Sequence, residues 1–322
     1  MKRRRLMLGT LASVAPLVAR AQPVWPAKPV RFIVPFSPGG GTDSVSRLIC
    51  DQLSRTFSQS FVIDNKGGAG GNIGTTELAR AAPDGYTLGL ISVASHTLNP
   101  MLYSKLPYDP DRDLIAISRV ALLANLLGVT KSLSVENVAE LIALCKKEPG
   151  KYSFASSGPG TSLHLSGELF KAMADVDIIH VPYKGAGAVY SDLISGTVHM
   201  MFANMPSMIG QVRGGKVKGL GVTSAERSKA APEIPAIAET VPGYVATSWY
   251  GVAAPAGTPE PILAKLEAAI AQALANPDIQ KRWVDDLGLD IPPAGRAGFA
   301  EFLANDRKQW APAVKISGVK LD

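Results

Sequence analysis

Residues 30–44 read Val-Arg-Phe-Ile-Val-Pro-Phe-Ser-Pro-Gly-Gly-Gly-Thr-Asp-Ser. The β-branched, aromatic and apolar run over 30–36 predicts a buried strand. Ser37 to Gly41 is turn chemistry, with a proline and three glycines that let the backbone come close to a ligand. Thr42 and Asp43 have the character of N-cap and first-turn residues. Val45, Leu48, Ile49, Leu53 and Phe57 then follow helical spacing along one apolar stripe. Strand, glycine turn and helix start together present unpaired backbone N–H groups and a positive dipole end to an anion.

The same unit recurs. Lys151-Tyr-Ser-Phe-Ala-Ser-Ser-Gly-Pro-Gly-Thr-Ser-Leu-His164 reads as strand, Ser/Gly/Pro turn and helix start, with Leu165, Leu169, Phe170 and Met173 on one side. Two anion-facing turns this far apart in the chain predict two lobes closing on one small acid.

Phe61–Asn65 reads as a second strand, and residues 66–74 are the most glycine-dense stretch, after which Thr75 or Thr76 is expected to cap a short helix. A third strand over 85–92 ends in Ser92, Ser95, His96 and Asn99. Further strands are predicted at 122–129, 178–182, 198–203 and 219–223. Ser134 and Pro259 are expected to cap helices, and 299–310 is a final amphipathic helix. Alternating strands and helices predict an α/β fold with a mostly parallel sheet, in which ligands lie beyond the carboxyl ends of the strands. The order places two crossovers, near 122–128 and 245–252. A second lobe, 125–245, is then inserted into a discontinuous first lobe of 22–124 plus 246–322.

Residues 1–21 stand apart. A basic Lys2-Arg3-Arg4-Arg5 start, an apolar Leu6–Val18 core and Ala19-Arg20-Ala21 describe a secretory leader cleaved after Ala21. Either general or twin-arginine export fits the basic run. The apolar stretch is too short for a membrane anchor. Five of the 33 basic residues leave with the leader and no acidic one does, so the formal charge falls from +6 to +1. No basic cluster remains, which argues against nucleic acid as a partner. With 46% hydrophobic and 19% charged residues the chain is globular, and the expected compartment is the periplasm. Cys50 and Cys145 have no CxxC spacing, and two buried free thiols are the plainer reading.

The catalytic readings fail on spacing. Gly68-Ala-Gly70 and Gly158-Pro-Gly160 each lack the third glycine of a dinucleotide turn, and no P-loop occurs, so no cofactor is expected. His96, His164, His180 and His199 are scattered, without metal-ligand spacing. Ser157 and His164 share a loop but no nucleophile elbow surrounds them, which leaves a secreted serine hydrolase as a distant alternative. His164 has two readings, a pocket residue or a structural hydrogen bonder, while His180 and His199 read as satisfied core residues. Asp43 reads as a carboxylate stabilising its own helix start. Lys184 is either a contact for a ligand carboxylate or a solvated turn lysine. What remains fits carboxylate binding by amides, hydroxyls and water.

Several motifs jointly resemble the tripartite tricarboxylate transporter solute-binding proteins, the Bug (Bordetella uptake gene) family. They are the leader, Val34–Asp43, Asn65–Thr75, Pro83–Leu88, Ser157–His164, Val181–Gly185 and Ala253–Pro259. The resemblance runs from the leader to the last helix. It implies a type II periplasmic binding-protein fold, two Rossmann-like lobes joined by hinge strands, with the ligand in the cleft. In the family, the turn matching Phe36 to Asp43, with Gly40, Gly41 and Thr42, closes against the turn matching Ser156 to His164, with Ser157, Gly158 and Thr161. Together they pinch one carboxylate, and the loop matching Ala69 to Asn72, with Gly70, lies nearby. Ser92, His96, Lys184 and Asn204 complete the candidate ligand-binding set. One departure is visible, Phe202-Ala203-Asn204 where many members carry Phe-Asp-Asn, and it raises the expectation of a different distal specificity. The implied protein is a monomer, not an enzyme, that hands an organic acid to membrane transporter subunits. The organic acid ranges over mono-, di- and tricarboxylates, amino acids and aromatic acids. A periplasmic sensor subunit serving a histidine kinase is the alternative output.

Overall fold

A computed structural model describes residues 25–293 and 295–321, so the leader lies outside the described residues. The chain begins β1 (Val30–Val34), α1 (Gly41–Phe57), β2 (Phe61–Asn65), α2 (Asn72–Ala79) and β3 (Thr87–Ser92). Two single-turn helices, α3 (Asn99–Leu102) and α4 (Pro110–Asp113), lead into the long β4 (Leu114–Thr130). Next come α5 (Val138–Lys147), β5 (Ser153–Ser156), α6 (Ser162–Ala174), β6 (Ile179–Pro182), α7 (Tyr190–Ser195), β7 (Met200–Asn204), α8 (Met205–Arg213) and β8 (Val217–Val222). The return is β9 (Thr247–Pro255), α9 (Glu260–Leu274), α10 (Pro277–Lys281), β10 (Leu289–Asp290) and α11 (Arg296–Ser317).

Two sheets share one strand. In the first, β2, β1 and β3 run parallel, and β9 joins β3 to the first part of β4 by antiparallel pairing. In the second, β6, β5 and β7 run parallel, and β7 and β8 flank the last part of β4, both antiparallel. The mostly parallel expectation therefore holds at the outer strands only. The centre is antiparallel because the chain must pass from one sheet to the other and return beside itself. Ala124 pairs with Thr247 of β9, whereas Asn125 pairs with Asn204 of β7. Each sheet buries its own apolar cluster, with Val30, Phe32, Ile49 and Leu53 in one and Leu126, Val189, Met201 and Met208 in the other.

Hydrogen bonds bind the chain where it passes between the sheets. The Asn125 N–H donates to Thr223 Oγ1 (2.8 Å), and the Thr223 N–H donates back to the Asn125 carbonyl (2.9 Å). Thr223 Oγ1 donates to the Ala246 carbonyl (2.7 Å), while the Ala246 N–H donates to the Thr223 carbonyl (2.9 Å). All three residues are buried.

Several helix starts differ from their sequence expectations. The N-cap of α1 is Gly40, not Thr42, and glycine offers no capping side chain. Thr42 and Asp43 lie inside the first turn. Helix α2 starts at Asn72, after Gly71 in the left-handed region, and Thr75 and Thr76 bond back to carbonyls four residues earlier. Asn137, not Ser134, caps α5. Helix α8 is unanticipated and starts with Pro206 in its first turn, a favourable place for proline.

Asp43 fixes the β1–α1 turn. Its carboxylate accepts from the Gly39 N–H (3.0 Å), Arg47 Nε (2.9 Å) and Asn65 Nδ2 (3.1 Å), and Asn65 also donates to the Phe36 carbonyl (2.9 Å). Burial pushes the Asp43 carboxyl up, but the bonds from Arg47, Gly39 and Asn65 outweigh it and hold it below its ordinary value. The expectation of a carboxylate serving its own helix start is what the geometry has.

Two outcomes follow from these bonds. Thr223→Val should leave the Asn125 N–H without a partner and the Ala246 carbonyl with only the long bond from Asn125 Nδ2 (3.5 Å), costing about 1–3 kcal/mol for the orphaned N–H. Urea unfolding measures this, and an unchanged midpoint would show that the crossing does not depend on the hydroxyl. Asp43→Asn should cost on the order of 1 kcal/mol at neutral pH, given the exposure of Arg47. A depressed folded-state carboxylate contributes its stability above the unfolded value, about pH 4, and loses it as pH falls through the lower folded value. The gap between wild type and variant should therefore close under acid, and a gap independent of pH would contradict this role.

Candidate functional site

The two glycine turns line one small cavity of about 20 Å³ between the sheets. Phe36, Gly40, Gly41 and Thr42 border it from the β1–α1 turn, and Ser157, Thr161, Ser162 and Leu163 from the β5–α6 turn. The first N–H groups of any helix have no intrahelical acceptor. At α1 the glycine N-cap leaves them uncovered. At α6 the Thr161 hydroxyl accepts only from the His164 N–H (3.3 Å), so those of Ser162 and Leu163 stay available. Two positive helix ends thus meet at one space.

Glycine lets the sheets' turns touch. A Cβ on Gly70 would lie 2.1 Å from the Pro159 carbonyl oxygen, and one on Gly187 would lie 2.2 Å from that of Pro38. Ser37 Oγ donates across the same rim to the Lys184 carbonyl (3.2 Å). These are backbone contacts that any side chain would hold apart.

Of the sixteen candidate residues, Phe36, Gly40, Gly41, Thr42, Ser92, Ser157, Thr161 and Asn204 border the cavity. Others sit behind it. Asp43 is turned into Arg47, and Ser156 Oγ, fully buried, bonds His180 Nε2 (2.7 Å) and accepts from the Gly158 N–H (3.1 Å). Ala69, Gly70 and Gly158 form the rim; a Cβ on Gly158 would meet the Gly70 nitrogen at 3.4 Å. Lys184 contributes its carbonyl, and its side chain is exposed. His96 does not join the set. Its ring packs edge-on to Trp249, it borders a separate groove beside Asp111 and Arg307, and burial pushes it down to about 4. Ala203 is fully buried in the apolar cluster of the second sheet, on the opposite face of β7 from Asn204, so alanine there completes a core.

His164 resolves as a structural hydrogen bonder. Its Nδ1 accepts from the Gly160 N–H (3.3 Å) and its Nε2 faces Glu168 (3.7 Å), so its ring does not serve Ser157. It stacks on His180 with centroids 4.0 Å apart, and burial pushes the two imidazoles down to about 3 and about 4. His164, Glu168 and His180 place donor atoms within 4.8 Å of one another. Each ring already uses one nitrogen at the turn, His164 Nδ1 on the Gly160 N–H and His180 Nε2 on Ser156 Oγ. The group is built to carry the turn that Gly158 and Gly160 form.

Ser248 and Tyr250 of β9 also border the cavity, with Val93, Ala94 and Ala186. They were hidden in an apolar strand, and only the alternation of hydroxyl residues at 248 and 250 signals them. Apart from the Tyr250 phenol, no ionisable side chain among the described residues borders the space. Burial holds that phenol well above its ordinary range, so it stays neutral.

Known proteins share this architecture. Residues 45–319 match the family model described as tripartite tricarboxylate transporter family receptor. BugT of Bordetella pertussis is 34% identical over 98% of this chain and 96% of its own. Among solved structures, R. palustris Rpa4515 with adipate is 36% identical, covering 92% of this chain and 99% of that one, with a TM-score of 0.89. MatC from Rhodopseudomonas palustris with bound malate is 32% identical, covering 90% and 100%, with a TM-score of 0.85. The chain belongs to the tripartite tricarboxylate transporter receptor family, the Bug-type solute-binding proteins.

Proposed function

We propose that this protein captures a small organic acid in the cleft and delivers it to a tripartite tricarboxylate-type membrane transporter. One observation carries the reading: two helix starts with uncovered amides border a single cavity that no side-chain cation among the described residues borders. Such a site holds a carboxylate through main-chain donors and water, and releases it without breaking a buried ion pair. The acids in the Rpa4515 and MatC structures, adipate and malate, support carboxylate capture.

The rest of the reading follows. The lobes are 22–124 with 246–322, and 125–245, and they close about the bonds joining Asn125, Thr223 and Ala246. The binding set is the turn residues Gly40 to Thr42 and Ser157 to Thr161, with Phe36, Ser92 and Asn204. The chain is exported to the periplasm with its leader removed after Ala21, and it acts as a monomer without catalysis. No helix among the described residues is long and apolar enough to cross a membrane.

Thermal shift on ligand-stripped protein against a panel of organic acids tests this. A bound acid at a hundred times its dissociation constant should stabilise by about 2.7 kcal/mol. In Gly41→Val the added Cβ would meet Asn204 Cβ at 2.8 Å and the Tyr250 hydroxyl at 3.0 Å. That variant should keep the wild-type circular dichroism spectrum and lose the shift. Undiminished affinity would count against the two-turn grip.

A further inference from the structure

The hydroxyls of Ser92 and Tyr250 are buried, at 3% and 1% exposure, and neither has a hydrogen-bond partner among the described residues. Both residues border the cavity. They are direct register partners across β3 and β9, so their side chains stand on one face, with Cβ atoms about 5 Å apart. A buried hydroxyl without a partner is costly. Two of them facing one cavity point to polar atoms that the ligand must bring.

Asn204 adds a direction. Its Nδ2 donates to Asn125 Oδ1 (2.7 Å), and Asn125 is itself oriented by donating its Nδ2 to Ser166 Oγ (2.9 Å). Asn204 is left with its Oδ1 as an acceptor and the second hydrogen of its Nδ2 as a donor. The charge complement is equally definite. Each helix start offers roughly half a positive charge, and the two together answer one carboxylate. Among the described residues no lysine, arginine or histidine borders the space to answer a second, and Asp43 of the adjoining turn is occupied by Arg47.

From these groups we infer that the ligand carries a single ionised carboxylate and a neutral hydrogen-bonding group elsewhere on its chain, a hydroxyl, carbonyl or carboxamide, read by Ser92, Tyr250 and Asn204. This rests on the carboxylate-capture reading and narrows it. A second carboxylate would be desolvated with no cation bordering the space, among the described residues, to compensate it. A plain fatty acid would leave the two hydroxyls unanswered. Val93, Ala94 and Leu163 suit the methylenes between the two polar ends.

Calorimetry on ligand-stripped protein at neutral pH tests the inference with succinate, glutarate and adipate. Each is compared with its half-amide and with the unsubstituted acid of the same length. The amide keeps the shape of the second carboxylate and removes its charge. At the preferred length the half-amide should bind at least about tenfold tighter than the dicarboxylate, because the second charge goes unpaired. It should also bind more tightly than the unsubstituted acid. Tyr250→Phe with Ser92→Ala should erase that second advantage, so that the half-amide and the unsubstituted acid bind the double variant equally. A dicarboxylate that binds as well as its half-amide, or an advantage that survives in the double variant, would overturn the inference while leaving carboxylate capture standing. Failure of every acid to bind would instead strike the capture reading itself.

Discussion

A helix start that no side chain covers is the feature on which the rest of this molecule depends. With Gly40 as N-cap, α1 has no capping hydroxyl or carboxylate to satisfy its first N–H groups. The first-turn carboxylate that could have turned inward is drawn the other way. Asp43 accepts from Gly39, Arg47 and Asn65, which stiffens the turn and keeps a negative charge off the amides. Stabilisation of the turn and availability of the site are achieved by the same carboxylate.

The second turn solves the same problem differently. Thr161 caps α6 conventionally, yet its hydroxyl satisfies only the third N–H. Behind it, the Ser156, His164 and His180 side chains bond to the turn's backbone or to each other, so the loop's shape is set from below. One turn is tightened by an ion pair at its side and the other by neutral imidazoles underneath. Neither sends a full charge into the cavity.

Much of this was legible before any coordinates. Short glycine-rich turns between a buried strand and an amphipathic helix depend on local chemistry, which is why the strand–turn–helix order of 30–44 and 151–164 is legible, although α1 is capped at Gly40 and not at Thr42. The misses share a cause: they depend on what lies across space. Ser134 and Asn137 are both acceptable caps, and packing of Val138 and Leu141 selects the later one. Ser248 and Tyr250 carry no sequence signal of a site beyond their alternation because β9 is apolar and central, and only its pairing with β3 sets Tyr250 beside Ser92. His96 follows a strand end, where site residues gather, but its ring turns toward Trp249. Ala203 seemed a change of specificity, whereas strand alternation sends it into the core and Asn204 toward the cleft.

The contacts that join the two sides of the cleft also explain why closure should wait for a ligand. Across the rim, Ser37 reaches the Lys184 carbonyl at an exposed site, and the Gly70 and Gly187 contacts are backbone against backbone. Exposed hydrogen bonds of this kind exchange readily with water and add little net stability. Near the crossing, Arg213 donates to the Asp286 carbonyl (3.0 Å), again at the surface. Apolar packing between the two sides lies away from the rim, in the cluster that includes Leu102, Trp310, Leu169 and Phe170. An acid whose oxygens accept from both helix starts has its full set of donors only when the turns face each other. Its differential affinity for that arrangement is therefore the term that shifts the population.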